Sequence, residues 1–189
     1  MDAELPPDIR ALQDQLEAAA RDAKALVAGL SEKLGTTRPE PGSWSVAECL
    51  NHLATANREY VAAMKEPATS ARTRGTFRRR PAMPGFLGGL FARSLEPPPK
   101  SWYKLKSPRK IRPAETSSLA ESFTSFITSQ ADVRAFLRAN ADLDLAGIRF
   151  PNPFIRGFRF SLATGLHAIT AHERRHLLQA WRARQRVER

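Results

Sequence analysis

The residues of this chain best suited to chemistry are two histidines placed four positions apart near the C-terminus. They belong to the stretch Ala171-His172-Glu173-Arg174-Arg175-His176-Leu177-Leu178-Gln179-Ala180. An α-helix turns by about 100° per residue, so side chains at positions i and i+4 share one face, about one turn apart. Two imidazole nitrogens spaced in this way can bind the same metal ion.

A third histidine, His52, lies far upstream in another stretch with helical periodicity, Trp44-Ser45-Val46-Ala47-Glu48-Cys49-Leu50-Asn51-His52-Leu53. A zinc site of three histidines leaves a fourth position for water or substrate. One ligand from one helix and two from another can form such a site inside a helical bundle. We therefore predict that His52, His172 and His176 bind one metal ion. The alternative is that the two C-terminal histidines simply lie at the boundary between core and solvent.

Other candidates near these histidines receive different interpretations. His167 would point roughly 140–180° away from His172 and His176 on an ideal helix, which predicts a surface or second-layer residue. Cys49 is the only cysteine, and we expect an unreactive buried thiol rather than a metal ligand. The side chains that could orient an imidazole ring through its second nitrogen are those of Glu48, Glu59 and Gln179.

Two amphipathic helices are predicted in the N-terminal part of the chain. The first runs from about Asp8 to Leu34, because apolar residues recur there at three- and four-residue steps, and Gly35 is expected to stop it. The second, which carries His52, begins at Ser45. Glu48 completes a capping box with Ser45, and Pro67 is expected to close the helix.

The C-terminal part predicts two more long helices, about Ser118 to Asn140 and about Leu162 to Arg184, each with a serine cap at its start. Residues 66–114 hold many prolines and form a long irregular insertion, in which a short helix from Phe86 to Ser94 fits the sequence. Residues 141–160 are predicted to form an ordered loop that covers one end of the bundle. Together these features predict an all-α fold, a four-helix bundle with crossover connections.

Composition assigns the chain to the globular class. Its 189 residues fit a single domain, 1–189, with 42% hydrophobic and 26% charged residues. The acidic, proline-bearing start does not resemble a signal peptide, and the longest apolar stretch, Met83 to Ala92, is too short for a membrane span. A lone cysteine excludes an intramolecular disulfide. We therefore expect a cytoplasmic protein without membrane association.

The formal net charge of +11 arises from 30 basic and 19 acidic residues. Much of the excess lies in residues 72–80 and 100–112, within the insertion. The favoured interpretation is a solvated basic surface, an anionic ligand or acidic partner comes second, and nucleic-acid binding is the least favoured.

The two histidine stretches together resemble the DinB superfamily of DinB- and YfiT-like metalloenzymes. The shared pattern is W-S-x-x-E-x-x-x-H-L, followed much later by H-x-x-R-H-x-x-Q, and both blocks occur here in the same order and spacing. The resemblance implies a four-helix bundle in up-up-down-down order. It also implies a divalent metal, zinc or nickel, held by His52, His172 and His176.

The family includes S-transferases that use low-molecular-weight thiols such as bacillithiol, and a mycothiol-dependent maleylpyruvate isomerase. The basic, proline-rich insertion of this chain departs from compact members, so their substrates do not transfer. The favoured hypothesis is a metal-dependent enzyme, a thiol S-transferase or a hydrolase, acting on a small molecule. The ion would lower the pKa of a bound thiol or water and so produce a nucleophile near neutral pH.

At most one of Arg174 and Arg175 is positioned to steer an anionic thiol or carboxylate towards the metal. The alternative function is a non-catalytic stress-response or partner-binding module, in which the metal stabilises the bundle or the basic loop recruits an acidic partner. A homodimer is compatible with exposed apolar helix edges.

Overall fold

The computed structural model describes residues 5–97, 111, 113 and 118–189. The elements within these residues are α1 (Pro7–Val27), α2 (Glu32–Thr36), α3 (Val46–Thr73), α4 (Phe86–Ser94), α5 (Leu119–Ala139), β1 (Arg149–Pro151), β2 (Arg159–Ser161) and α6 (Leu162–Val187). Most of the described residues are helical, and the two short strands form only one small sheet. The prediction of an all-α fold is therefore confirmed at the level of class. None of the helices in the described residues is long and apolar enough to cross a lipid bilayer.

Serine caps determine where the long helices α3, α5 and α6 begin. The Ser45 hydroxyl accepts a hydrogen bond from the Glu48 backbone N–H at 3.1 Å, and the Glu48 carboxylate accepts one from the Ser45 backbone N–H at 2.9 Å. Ser118 and Glu121 form the same reciprocal pair at the start of α5. Ser161 caps α6 with its hydroxyl. These local patterns satisfy backbone donors that the first turn of a helix leaves free.

The predicted single helix from Asp8 to Leu34 is wrong, because the structure divides it into α1 and α2. Gly29 lies between them at a φ of 71°, a left-handed conformation that glycine adopts without steric cost. Ser31 then caps α2. Gly35 does not stop the helix but is buried within α2, where an added Cβ would lie 2.5 Å from a methyl carbon of Leu119.

Helix α3 does not end at Pro67, as predicted, but continues to Thr73 with the proline in its interior. Proline removes one backbone hydrogen bond there. The turns beyond it bury Ala68 and Ala71 in the core, which offsets that loss. The first residues of the predicted irregular insertion are therefore helical. The short helix predicted from Phe86 to Ser94 is confirmed as α4.

The predicted loop 141–160 is ordered and contains most of a β-hairpin that the sequence did not indicate. Strands β1 and β2 pair in antiparallel register with Phe150 opposite Phe160. Leu143, Leu145 and Phe150 are fully buried and extend the core at this point. Residues 98–110, 112 and 114 of the predicted insertion lie outside the described residues.

The four long helices pack so that α1 and α3 each contact both α5 and α6. Buried apolar side chains form two clusters among them. Members of the first cluster include Leu12, Met64, Val133, Phe136 and Leu166. Members of the second include Leu26, Leu50, Phe126, Leu177 and Ala180.

A layer of buried polar side chains separates the two apolar clusters. Helix α3 contributes Asn57 between Ala54 of the second cluster and Tyr60 of the first. Ser129 and Gln130 of α5 and Glu173 of α6 occupy equivalent positions between the clusters, and all are buried. Because buried polar groups are costly unless they bond one another, this layer fixes how the three helices align.

Candidate metal centre

The structure brings His52 of α3 together with His172 and His176 of α6. One ring nitrogen from each lies within 4.8 Å of the others, an arrangement able to hold a metal ion. Nε2 of His52 is 3.1 Å from Nε2 of His172. Nitrogens bound to one tetrahedral zinc ion at about 2.0–2.1 Å lie about 3.3 Å apart, so this pair already has the spacing of two ligands of one ion.

The second nitrogen of His52 is held by the main chain. Nδ1 lies 2.6 Å from the carbonyl oxygen of Ile111, which can only accept a hydrogen bond. Nδ1 therefore carries the proton and donates, and Nε2 keeps its lone pair for a metal. This is the arrangement of an imidazole ligand oriented by an outer hydrogen bond.

Trp44 forms an aromatic wall beside two of the rings. Its ring centroid lies 4.8 Å from that of His52, and it stacks on His176 at 5.6 Å. The three imidazoles contact one another with centroids 4.5–4.9 Å apart. His52 and His176 are buried, and Trp44 limits the access of water to these two rings on its side.

The surroundings keep all three imidazoles neutral. Burial lowers the pKa of His52, against a smaller opposing effect of the Ile111 carbonyl. Burial, with the neighbouring His52 and Arg175, lowers the pKa of His172 to about 3. Burial, together with His172, His52 and Arg175, holds the pKa of His176 well below its usual range. A neutral imidazole offers a lone pair to a metal at neutral pH, whereas a protonated one cannot.

Nδ1 of His176 is a buried polar atom with no hydrogen-bond partner among the described residues. Burying such an atom without a partner is unfavourable, and a bound ion is one way to satisfy it. Three neutral imidazoles, one already oriented and one with an unsatisfied nitrogen, fit the donor set of a zinc site. No described carboxylate or thiol joins this group, so among the described residues the three imidazoles are the only candidate ligands.

Glu173 lies directly after His172 in α6 and belongs to the buried polar layer. Its carboxylate accepts hydrogen bonds from the Asn57 amide at 2.8 Å and from the Gln130 amide at 2.6 Å. Asn57 also donates to the Ser129 hydroxyl at 3.2 Å. Burial outweighs these bonds and raises the pKa of Glu173 to about 8. The layer ties α3, α5 and α6 together next to the histidines.

The other sequence candidates lie apart from the three histidines. His167 lies outside this group, and its Nε2 is 3.2 Å from the Ala82 carbonyl. Cys49 is fully buried, and burial raises the pKa of its thiol, which makes it unreactive as predicted.

The predicted ring-orienting roles take a different form. Burial alone would raise the pKa of Glu48, but hydrogen bonds from Arg38 and the Ser45 backbone lower it. Glu48 is therefore engaged in capping and in an ion pair. The ring nitrogens of His52 face Ile111 and His172, so Glu59 does not orient this ring. Gln179 slightly opposes the lowered pKa of His176, but does not bond its buried Nδ1.

The two arginines between the histidines have separate environments. Arg174 donates to the Glu96 carboxylate at 3.0 Å and to the Gln15 side chain at 2.7 Å, which binds α6 to α1 and to the segment that follows α4. Arg175 makes one long hydrogen bond of 3.5 Å, to the Ser94 carbonyl. Of these two arginines, only Arg175 lowers the pKa of His172 and of His176.

Two functional features had little or no signal in the sequence. The Ile111 carbonyl is a main-chain group, so its contact with His52 cannot be inferred from the type of residue at this position. Glu173 has a weak signal, since about 100° of helical rotation separates it from His172 and places it at the edge of the histidine face. That position favours burial against a neighbouring helix, and Asn57 on α3 is its hydrogen-bond partner.

Comparison with known proteins adds one finding. A model of the DinB superfamily matches residues 15–180, a span that contains all three histidines. No curated protein matches the chain, and no solved structure does.

Proposed function

This chain belongs to the DinB superfamily, and we propose that it is a metal-dependent enzyme whose ion is held by His52, His172 and His176. The observation that carries the proposal is the meeting of three neutral imidazoles from two helices, with ligand nitrogens within 4.8 Å. Such a site leaves coordination positions open, which is typical of catalytic rather than structural zinc.

The residues around the centre would orient the three imidazoles for metal binding. The Ile111 carbonyl keeps the proton on Nδ1 of His52 and so leaves Nε2 available. Trp44 packs against two of the rings and restricts water on one side. The bonds from Glu173 to Asn57 and Gln130 hold α6 in place, so that His172 and His176 approach His52.

A bound divalent ion would supply a Lewis acid that lowers the pKa of a thiol or water molecule and makes it nucleophilic near neutral pH. The imidazole set favours zinc, with nickel as the second choice. The reaction would be transfer of a low-molecular-weight thiol to an electrophile, or hydrolysis, on a small-molecule substrate. Family membership supports this class, and the burial of Cys49 leaves the chemistry to the ion rather than to that thiol.

Elemental analysis tests the metal site directly. Protein purified without chelators or affinity metal is expected to contain about one divalent ion per chain, and His172→Ala is expected to lose it. His167→Ala is the matched control, because it removes a histidine of the same helix that lies outside the group. Full metal content in His172→Ala would refute the site.

A non-catalytic module remains the second candidate, because the three ligands join α3 to α6 and a bound ion would also stabilise the fold. Both candidates predict a higher melting temperature with metal. Only an enzyme would turn over low-molecular-weight thiols with a panel of electrophiles, and only if His172 is intact. A stable, metal-loaded protein that is inactive with every thiol and with water as acceptor would favour the module.

We further propose that the long helices α1, α3, α5 and α6 form a single four-helix domain in up-up-down-down order. Their mutual packing supports the bundle. A cytoplasmic location and the absence of nucleic-acid and membrane partners remain proposals from the sequence. The basic surface would then serve solubility or an anionic ligand, and a homodimer stays a proposal that the exposed apolar residues of α4, such as Phe86, support.

A further inference from the structure

No described carboxylate balances the charge that an ion would bring to the candidate metal centre. Three neutral imidazoles leave the full charge of a divalent ion in place. Nearby carboxylates are engaged elsewhere: Glu48 with Arg38, Glu96 with Arg174, and Glu173 with two amides. Among the described residues no carboxylate joins the three histidines.

Arg175 adds a further positive charge beside this centre. On a helix it lies about 60° from His172 and about 100° from His176, whereas Arg174 lies about 160° from both. Arg175 is half-buried as a residue, and no ion pair connects its guanidinium to a carboxylate within the described part of the chain. Its hydrogen bond to the Ser94 carbonyl, at 3.5 Å, is at the weak limit.

Arg174 and Arg175 are adjacent in sequence but differ in how many of their hydrogen-bond donors the fold uses. Arg174 forms a two-pronged ion pair with Glu96 and also bonds Gln15, so its donors are largely used within the fold. Arg175, one residue later, keeps most of its five N–H donors unused by the described residues. A half-buried arginine beside an uncompensated cation is unfavourable unless an anion joins the two positive charges.

We propose that Arg175 and the three-histidine centre together form a subsite for a carboxylate group, so that the enzyme acts on a carboxylate-bearing small molecule. This inference rests on the proposed function and deepens it. A carboxylate matches the planar fork of a guanidinium with two parallel hydrogen bonds. The carboxylate can belong to the electrophilic substrate or to the thiol, and the experiment separates these two sources.

The proposal predicts two effects of opposite sign for Arg175→Gln. Loss of the positive charge removes repulsion of the cation, so chelator competition should show metal affinity raised by about threefold or more. Loss of the guanidinium fork should weaken acetate binding by about tenfold. The visible spectrum of the cobalt(II)-loaded protein measures this binding. A merely structural role would weaken both affinities, because a disturbed centre binds neither ligand well.

Two further variants control for folding and for charge in general. Arg182→Gln removes the same charge from an exposed position of α6, about 9 Å beyond His176 along the helix, and should change neither affinity. Arg175→Lys keeps the charge but not the fork, so metal affinity should equal that of the unmodified protein and acetate affinity should fall to an intermediate value.

Activity assays then identify the source of the carboxylate. If the electrophile carries it, Arg175→Gln should raise KM for acidic electrophiles but not for their neutral esters. If the thiol carries it, the same variant should discriminate acidic from neutral thiols instead.

Unchanged acetate affinity in Arg175→Gln, or loss of metal and acetate affinity together, would overturn the subsite while leaving a metal-dependent enzyme intact. Metal retained in His172→Ala would instead overturn the proposed function, and this inference with it.

Discussion

Replacing Glu173 with glutamine should make the metal-free protein more stable at neutral pH. Glu173 is fully buried, and burial raises its pKa to about 8 from an ordinary 4.5. The unfolded chain therefore loses this proton at a lower pH than the folded protein does. Folding then requires proton uptake between these two values, and stability falls as the pH rises through this range.

The magnitude follows from the width of this window. Each pH unit within it costs about 1 kcal/mol, so the carboxyl should lower the free energy of unfolding by about 2–3 kcal/mol between pH 5 and pH 7. Glutamine has no such cost. The substitution also fits the hydrogen bonds, because the Oε1 atom of Gln130 has no partner among the described residues. If the Gln130 amide turns over, it can accept from the new NH₂ group while Asn57 still donates to the new carbonyl.

Urea denaturation in the presence of a chelator, at pH values from 5 to 8, measures this effect. The histidines of the unfolded chain also titrate in this range, so the informative quantity is the difference in unfolding free energy between Glu173→Gln and the unmodified protein. That difference should be small at pH 5 and grow in favour of the variant towards pH 8. Glu66→Gln, on the exposed side of α3, is the control for the chemical change and should show no such trend.

A flat difference across this range would refute the reasoning. It would mean that the carboxylate stays ionised in the folded protein at all these pH values. The two amide donors would then outweigh burial, and the polar layer would be held by a charge rather than by a neutral group.

Two further predictions concern helix packing and acid. Gly88→Ala should destabilise the protein by about 1–3 kcal/mol, because an added Cβ would lie 2.2 Å from the Thr164 hydroxyl oxygen and push α4 from α6. Gly89→Ala, with nothing within 4 Å of the added carbon, should instead be neutral or stabilising by up to about 1 kcal/mol in thermal unfolding; equal effects at the two sites would contradict this packing. Protons compete with a metal for the imidazoles, whose pKa values burial lowers, so dialysis should release the ion only as the pH falls well below about 6, and metal content unchanged in strong acid would exclude histidine ligation.

The helix starts could be predicted from the sequence because their determinants are local. Ser45 with Glu48, and Ser118 with Glu121, satisfy their own first turns, and no distant residue is needed. The i, i+4 pair of His172 and His176 is local in the same sense. Its chemistry could be anticipated because helix geometry alone brings both rings to one face.

The predictions of helix ends that proved wrong are those that depend on contacts between residues far apart in the sequence. Gly29 and Gly35 are both plausible ends for a helix, and burial of Gly35 against Leu119 selects Gly29 as the break. Pro67 is a strong signal for a helix end. The core beyond it nevertheless buries enough of Ala68 and Ala71 to keep the helix intact. The β1–β2 hairpin consists of strands of three residues, too short to show an alternating pattern.

The insertion between α3 and α5 is part of the candidate site rather than an independent surface loop. Its described residues reach the histidine helices at three places: Glu96 pairs with Arg174, the Ser94 carbonyl meets Arg175, and the Ile111 carbonyl meets His52. The last contact determines which nitrogen of His52 is available as a ligand. A change within this segment can therefore alter metal affinity without touching a ligand.

Contacts with the fold also reduce the positive charge that the basic residues of this region can offer to a nucleic acid. A free basic loop would favour nucleic-acid binding, but several arginines at the end of α3 and in the insertion are already paired with acidic residues of the fold. The pairs are Arg72 with Asp142, Arg78 with Asp8, and Arg80 with Asp144. The more exposed pairs, those of Arg72 and Arg80, add little stability, but each of the three pairs removes a cation from the charge available to a polyanion. Arg175 is a stronger candidate for anion binding than these residues, because it lies at the metal centre and no described carboxylate neutralises it.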